Sequence, residues 1–164
     1  MNWYLLIKFF HILAVALTIG GMFARQLVRG IARRSDDVST VASLTRAALR
    51  IDRTLVAPWS ILILVAGIIL AVMLKWPLFG FLQGAAQNWL LVSNILLIIM
   101  LALIPAVFVP HNKKVETVLQ AALAEGRRTP ELNAALDDRK NNLAHHAEEI
   151  IIVVIAALMV LKPF

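Results

Sequence analysis

The sequence predicts an all-α protein, a membrane-embedded antiparallel four-helix bundle with cytoplasmic helical extensions. Hydrophobic residues make up 60% of the 164 positions, more than soluble domains usually contain. Four apolar stretches each approach the ~20 residues that a helix needs to cross a bilayer. Most of the charged residues lie between these stretches. The whole chain, residues 1–164, is therefore expected to form a single transmembrane domain surrounded by lipid.

The four spans are expected at about residues 3–23, 55–74, 89–109 and 146–162. The most apolar part of the fourth span, residues 150–161, is short, so its helix is expected to begin before the bilayer. Prolines 58, 105 and 110 should kink or end the helices that contain them.

Lysine and arginine are distributed very unevenly along the chain. Thirteen of the 16 lie in or beside the first and third loops, and the others are Lys8, Lys75 and Lys162. Cytoplasmic loops of membrane proteins collect basic residues, so both basic loops are expected inside and both termini outside. An aromatic belt is expected at the outer surface, formed by Trp3, Tyr4, Trp76 and Trp89.

Both basic loops carry helix signals. Ser35 is expected to cap a helix that has Asp36 in its first turn. In the third loop, Gly126 should stop one helix, and Thr129 followed by Pro130 should start another. These signals predict two short helical hairpins beyond the membrane.

Composition also excludes several classes of function. The chain has no cysteine, which excludes disulfides, thiolate metal sites and cysteine nucleophiles. Its net charge of +6 is explained by the cytoplasmic loops, and no stacking aromatic residues accompany the basic ones. Nucleic acid is therefore not an expected partner.

His11 is the most informative residue of the first span. Ionisable side chains are costly inside a membrane, so they usually face the protein interior and often have a function. Lys8, His11, Thr18 and Arg25 share one helix face, which suggests a cavity or cofactor face. The opposite face carries small residues suited to close packing within the bundle or in a dimer, namely Ala16, Gly20 and Ala24.

Asn94 in the third span lies at about the same depth as His11. A hydrogen bond between them is expected, and it would fix the tautomer of a ligand histidine. The alternative is that His11 only packs and hydrogen-bonds within the bundle.

A second group of polar residues lies at the basic end, where imidazole and carboxylate groups could bind a metal ion. Its members are His111, His145, His146, Glu148 and Glu149. The alternative is that Glu148 and Glu149 form ion pairs with arginines of the first loop, Arg25, Arg29 or Arg53.

His11 cannot share one haem iron with His145. His11 lies roughly 12 Å from the outer end of its helix, at 1.5 Å per residue. His145 lies at the opposite boundary of a core roughly 30 Å thick, so the gap is on the order of 18 Å. Two axial nitrogens need a separation of only about 4 Å.

Several short motifs carry a resemblance to a known family. They are residues 4–11, Gly20 to Phe23, Arg53 to Leu55, Pro58 and Gly67. With them the chain resembles bacterial integral membrane proteins catalogued as domain of unknown function 2269, which implies the bacterial inner membrane. That family is similar in pattern to HemJ-type protoporphyrinogen oxidase, which carries haem b, and to copper-resistance D membrane proteins.

The resemblance implies haem binding through His11, the position of the first-helix histidine in the HemJ type. The third span lacks the lysine of that type after Trp89, so the oxidase activity is not implied. The leading hypothesis is a protein that binds haem b or a related metal centre and has an electron-transfer or redox-partner role. In it Lys8 meets a propionate and Asn94 orients the imidazole, and the expected partners are a redox protein or a second copy of the chain. The alternative is a non-enzymatic scaffold or a transport protein for copper or another metal.

Overall fold

The computed structural model describes residues 2–163, and its regular structure is helical. Seven α-helices follow each other along the chain: α1 Trp3–Arg34, α2 Val38–Ile51, α3 Ala57–Met73, α4 Trp89–Leu103, α5 Val109–Glu125, α6 Pro130–Leu136 and α7 Arg139–Leu161. A π turn, Asp52–Val56, joins α2 to α3, and a second, Ile104–Phe108, joins α4 to α5. Residues 2–163 contain no strand, and the all-α prediction is confirmed.

Four helical segments are long and apolar enough to cross a membrane: Trp3–Arg34, Val38–Met73, Trp89–Glu125 and Pro130–Leu161. Each contains one of the predicted spans, which confirms a four-span protein. The helix of the fourth span, α7, begins at Arg139, well before its apolar stretch, as expected.

The four spans alternate in direction. The start of α1, the end of α3, the start of α4 and the end of α7 line one common cavity. We call this the termini end of the bundle and the opposite end the basic end. α1 packs along α3 and α4 packs along α7, whereas α3 and α4 make few contacts with each other. The bundle is therefore two tight helix pairs with a looser seam between α3 and α4.

The helices of the basic loops form a small apolar core of their own at the basic end. Its buried residues come from α2, α5 and α6 and are Val38, Val41, Ala42, Leu119, Ala122 and Leu132. Burial of this apolar surface stabilises helices that would be marginal alone. The helical extensions predicted for the two loops are confirmed.

Helix caps at the basic end follow the predictions only in part. Thr129 caps α6 by accepting a hydrogen bond from the Leu132 amide, and Gly126 ends α5 with a φ of +67°, both as expected. The prediction for Ser35 is wrong, because Ser35 ends α1 and Asp37 caps α2. Hydrogen bonds from the residues after Asp37 hold the pKa of its carboxyl well below the usual value.

The prolines do not end the helical path. Pro58 lies in the first turn of α3 directly after one π turn, and Pro105 lies inside the other. A proline removes one backbone donor from the helix ladder. A π turn is wider than an α turn and is closed by an i→i+5 hydrogen bond. In the first π turn this bond runs from the Ala57 amide to the Asp52 carbonyl, directly before Pro58.

The face of α1 that was expected to pack closely, with Ala16, Gly20 and Ala24, is not the face that packs against α3. Ala16 and Gly20 are exposed on the outside of the bundle, so this face does not pack against α3. Gly21 is the buried glycine of α1, and a Cβ there would lie 3.1 Å from side-chain atoms of Leu55 and Val56.

The aromatic belt expected at the outer surface also needs correction, because Trp89 is only 3% exposed and belongs to the core.

The exposed Gly20 and the buried Gly21 give a matched pair of substitutions. Gly21→Ala forces a Cβ against the rigid start of Leu55 and is expected to lower the free energy of unfolding by about 1–3 kcal/mol relative to Gly20→Ala. Gly20→Ala meets nothing within 4 Å and should be neutral or stabilising. Thermal unfolding in detergent measures both, and equal melting temperatures would contradict the packing described for Gly21.

Candidate functional site

A cavity of about 370 Å³ lies at the termini end between all four spans. Its volume is within the range of small-molecule sites. Most of its wall is apolar, and its polar and charged side chains are Tyr4, Lys8, His11, Ser93, Asn94 and Lys162. The structure thus brings Lys8, His11 and Asn94, the three predicted cofactor residues, to one cavity.

His11 has an unused ring nitrogen in this cavity. Its Nδ1 atom is buried and has no hydrogen-bond partner among residues 2–163. Gly67 on α3 provides the space for the ring, because a Cβ at Gly67 would lie 3.2 Å from Cε1 of His11. An unpaired polar atom is costly in an apolar site, which makes this nitrogen a candidate ligand atom.

Asn94 does not hydrogen-bond His11, and that prediction is wrong. Its side-chain amide donates instead to the carbonyl of Leu78, at 3.0 Å, in the segment between α3 and α4. Ser93 donates to the Trp89 carbonyl at 2.8 Å within α4. Both neighbouring polar side chains are therefore hydrogen-bonded to backbone groups and not to Nδ1 of His11.

Two ammonium groups lie close to the mouth of the cavity. Lys162, which ends α7 with a φ of +47°, places Nζ 4.1 Å from the ring centroid of Trp76 and 5.5 Å from that of Trp89. Lys8 Nζ lies 5.7 Å from the ring of Tyr4. Cation–π contacts hold both charges against aromatic surface at this end of the bundle.

An apolar layer closes the cavity toward the basic end. Its buried residues come from all four spans and are Met22, Val56, Met100 and Ile152. Beyond this layer the interior becomes ionic.

The ionic part is a buried network centred on Arg25, which is 2% exposed. Its guanidinium donates to Asp52 of the first π turn at 2.6 Å and to Glu148 of α7 at 2.7 Å. Arg29 donates to the other oxygen of Asp52 at 3.3 Å. One arginine therefore ties α1 to the second and fourth spans by bonds that are strong because both partners are charged.

His145 belongs to the same network. Its Nδ1 lies 3.3 Å from Glu148, its Nε2 contacts Arg29, and its ring stacks on Phe108 with centroids 4.2 Å apart. The predicted alternative for this end, an ion pair between a glutamate and an arginine of the first loop, is confirmed for Glu148 and Arg25.

The three histidines and two glutamates predicted as a possible metal site are not gathered in one place. His146 is 69% exposed and faces Glu149 at 3.4 Å, whereas His145 is buried in the network. His111 lies 3.9 Å from Asp138. Within residues 2–163 no group of three or more histidine and carboxylate side chains could hold a metal ion.

Several residues of both sites were not singled out from the sequence. Asp52 and Phe108 belong to the two π turns, and hydrophobic periodicity does not predict where a π turn occurs. The sequence marks Gly67 only through the family resemblance, and nothing in it places this glycine against His11. Lys162 contacts the rings of Trp76 and Trp89 from another span, and the sequence does not predict this contact between helices.

A family model matches residues 5–163, almost the whole chain. The chain belongs to the family of predicted integral membrane proteins named DUF2269. No curated protein and no solved structure matches it. The membership agrees with the four spans and assigns no ligand to the cavity.

The network predicts a contrast between two adjacent glutamates. Glu148→Gln leaves the buried guanidinium of Arg25 with one acid and is expected to cost about 3 kcal/mol of unfolding free energy. Glu149→Gln removes only a contact with exposed His146 and should cost little. Melting temperatures in detergent compare the two, and similar values would contradict the central role given to Glu148.

Proposed function

We propose that this protein binds haem b in the cavity at the termini end, with His11 as the iron ligand. The observation that carries the proposal is the buried Nδ1 atom of His11, which has no hydrogen-bond partner in a side chain that lines a cavity formed by all four spans. A buried ring nitrogen without a hydrogen-bond partner is uncommon in a histidine that only packs the bundle.

The remaining lining residues suit an amphipathic, anionic ring. Its apolar faces match the leucine and isoleucine walls, and its carboxylates match the ammonium groups of Lys8 and Lys162. Met159 also lines the cavity, and its thioether could supply a second ligand to the iron of a bound haem. Asn94 fixes the segment before α4 through Leu78 rather than orienting the imidazole.

Haem in such a site supplies reversible one-electron transfer. The chain's own residues hold the ring, keep water from its faces and place charge at its edge. The basic loops are proposed to face the cytoplasm of a bacterial inner membrane. The cavity would then open toward the outer surface, where a redox partner would exchange electrons.

The visible spectrum tests this proposal directly. Protein expressed with haem supply should show a Soret band that His11→Ala loses and His146→Ala keeps, because His146 is exposed and far along α7 from the cavity. A well-folded, colourless wild-type protein would overturn the proposal and favour a scaffold or transport role. A Soret band unchanged in His11→Ala would exclude His11 as the ligand.

Gly67 gives a finer test of the same site. Gly67→Ala places a methyl group against the imidazole, so haem affinity is expected to fall about fivefold or more. Gly20→Ala adds a methyl group to the same kind of helix at an open position and serves as the control. Haem titration of the apoprotein measures both, and equal affinities would show that Gly67 does not set the ring position.

A further inference from the structure

The loose seam between α3 and α4 opens into a second cavity toward the basic end. This slot has a volume of about 280 Å³, and its wall is mainly apolar, with Ile61, Leu101 and Ile104 among its residues. Ile61 and Ile104 are exposed on the bundle surface, so the slot lies open to the surroundings of the spans. In a bilayer those surroundings are acyl chains.

A polar donor lies at the inner side of this slot. Arg25 lines it, and the Nε atom of Arg25 is buried with no hydrogen-bond partner in residues 2–163. The other two nitrogens of the same guanidinium are bonded to Asp52 and Glu148. The charge of Arg25 is therefore neutralised within the bundle, and the slot wall beside it is mainly apolar.

A basic groove continues from the slot. The groove has a volume of about 820 Å³ and shares Asp52, Val109 and Asn112 with the slot. Four basic side chains line it, and all are exposed: Arg46, Arg50, Arg53 and Lys113. None of the four forms an ion pair within 4.0 Å in the part of the chain described, residues 2–163.

The spacing of the arginines concentrates their charge. Arg46, Arg50 and Arg53 follow the i, i+4, i+7 pattern, so they lie on one face of the α2 helix and its π-turn continuation. Of the two acids in the groove, Asp52 is bonded to Arg25 and Arg29, and Glu116 accepts a hydrogen bond from Gln120. Asp52 is neutralised by these arginines, so the four basic side chains of the groove face one remaining carboxylate charge, that of Glu116, and the groove is a positive surface.

The groove also lies at the right depth for a headgroup. From Trp3 to Arg25, α1 rises roughly 33 Å at 1.5 Å per residue, close to the hydrocarbon thickness of a bilayer. Arg25 therefore marks the boundary, with the apolar slot on the membrane side and the basic groove on the water side.

We propose that the slot and groove together bind one anionic phospholipid, with an acyl chain in the slot and the phosphate headgroup in the groove. Basic pockets between membrane spans are typical sites for acidic headgroups. The apolar slot distinguishes this ligand from free phosphate, which would use the groove alone. The site is separate from the His11 cavity and does not depend on haem.

Lipid titration of the delipidated full-length protein in detergent, followed by native mass spectrometry, tests the site. Dioleoyl-phosphatidylglycerol should bind more tightly than dioleoyl-phosphatidylcholine, which has the same acyl chains. Arg46→Gln/Arg50→Gln/Arg53→Gln should weaken phosphatidylglycerol binding at least about tenfold, since each basic residue near a headgroup contributes about fivefold. The Arg→Lys triple variant keeps the charge and should retain the preference.

A matched control removes the same charge elsewhere at the basic end. Arg34→Gln/Arg139→Gln/Lys140→Gln changes three exposed residues outside the groove and should leave lipid binding unchanged. Equal losses in the two glutamine triples, or equal binding of the two lipids by the wild type, would overturn the proposal.

The slot is tested with the arginines intact. Ala57→Phe fills the slot and should weaken phosphatidylglycerol binding several-fold, while Ala102→Phe on an exposed face of α4 should not. Unchanged binding in Ala57→Phe would overturn the acyl-chain part of the proposal. Thermal stabilisation by sodium phosphate equal to that by phosphatidylglycerol would identify an anion site rather than a lipid site.

Discussion

The buried positive charge of Arg25 is the constraint on which the rest of the structure depends. A guanidinium that is 2% exposed must be neutralised where water is scarce, and removing one of its acids leaves an uncompensated charge. Asp52 and Glu148 supply that neutralisation from two other spans. Both partners must arrive at one depth, which fixes the vertical register of α1, the second span and α7.

The two polar sites of the interior have opposite characters. At the basic end nearly every charged group of the network has a partner, and Arg25, Asp52 and Glu148 hold helices together. At the termini end, Asn94 is bonded to backbone and His11 is left with a free nitrogen. The apolar layer between the sites keeps them independent. Paired charges therefore hold the basic end together, while the termini end keeps an open cavity.

Sequence reasoning predicted those parts of the fold that depend on composition along one helix. The four apolar runs and the Thr129–Pro130 helix start are local signals, and the structure confirms both. The errors concern partners across helices. The partner of Asn94 depends on how α4 is rotated and on the path of the segment before it, which periodicity does not fix. Ser35 and Asp37 are both good caps, and only the end of α1 decides between them.

The π turns give the chain a sensitivity to its own length. Each turn holds one residue more than the α-helical ladder needs, so the segments on its two sides differ in phase by roughly 100°. Asp52 opens the first π turn and Phe108 ends the second, and both contact the buried network, Asp52 through Arg25 and Phe108 through His145. Loss of a single residue from either turn would leave a longer, more regular helix and still rotate one of these side chains out of the bundle. Insertions and deletions are thus more disruptive here than most substitutions.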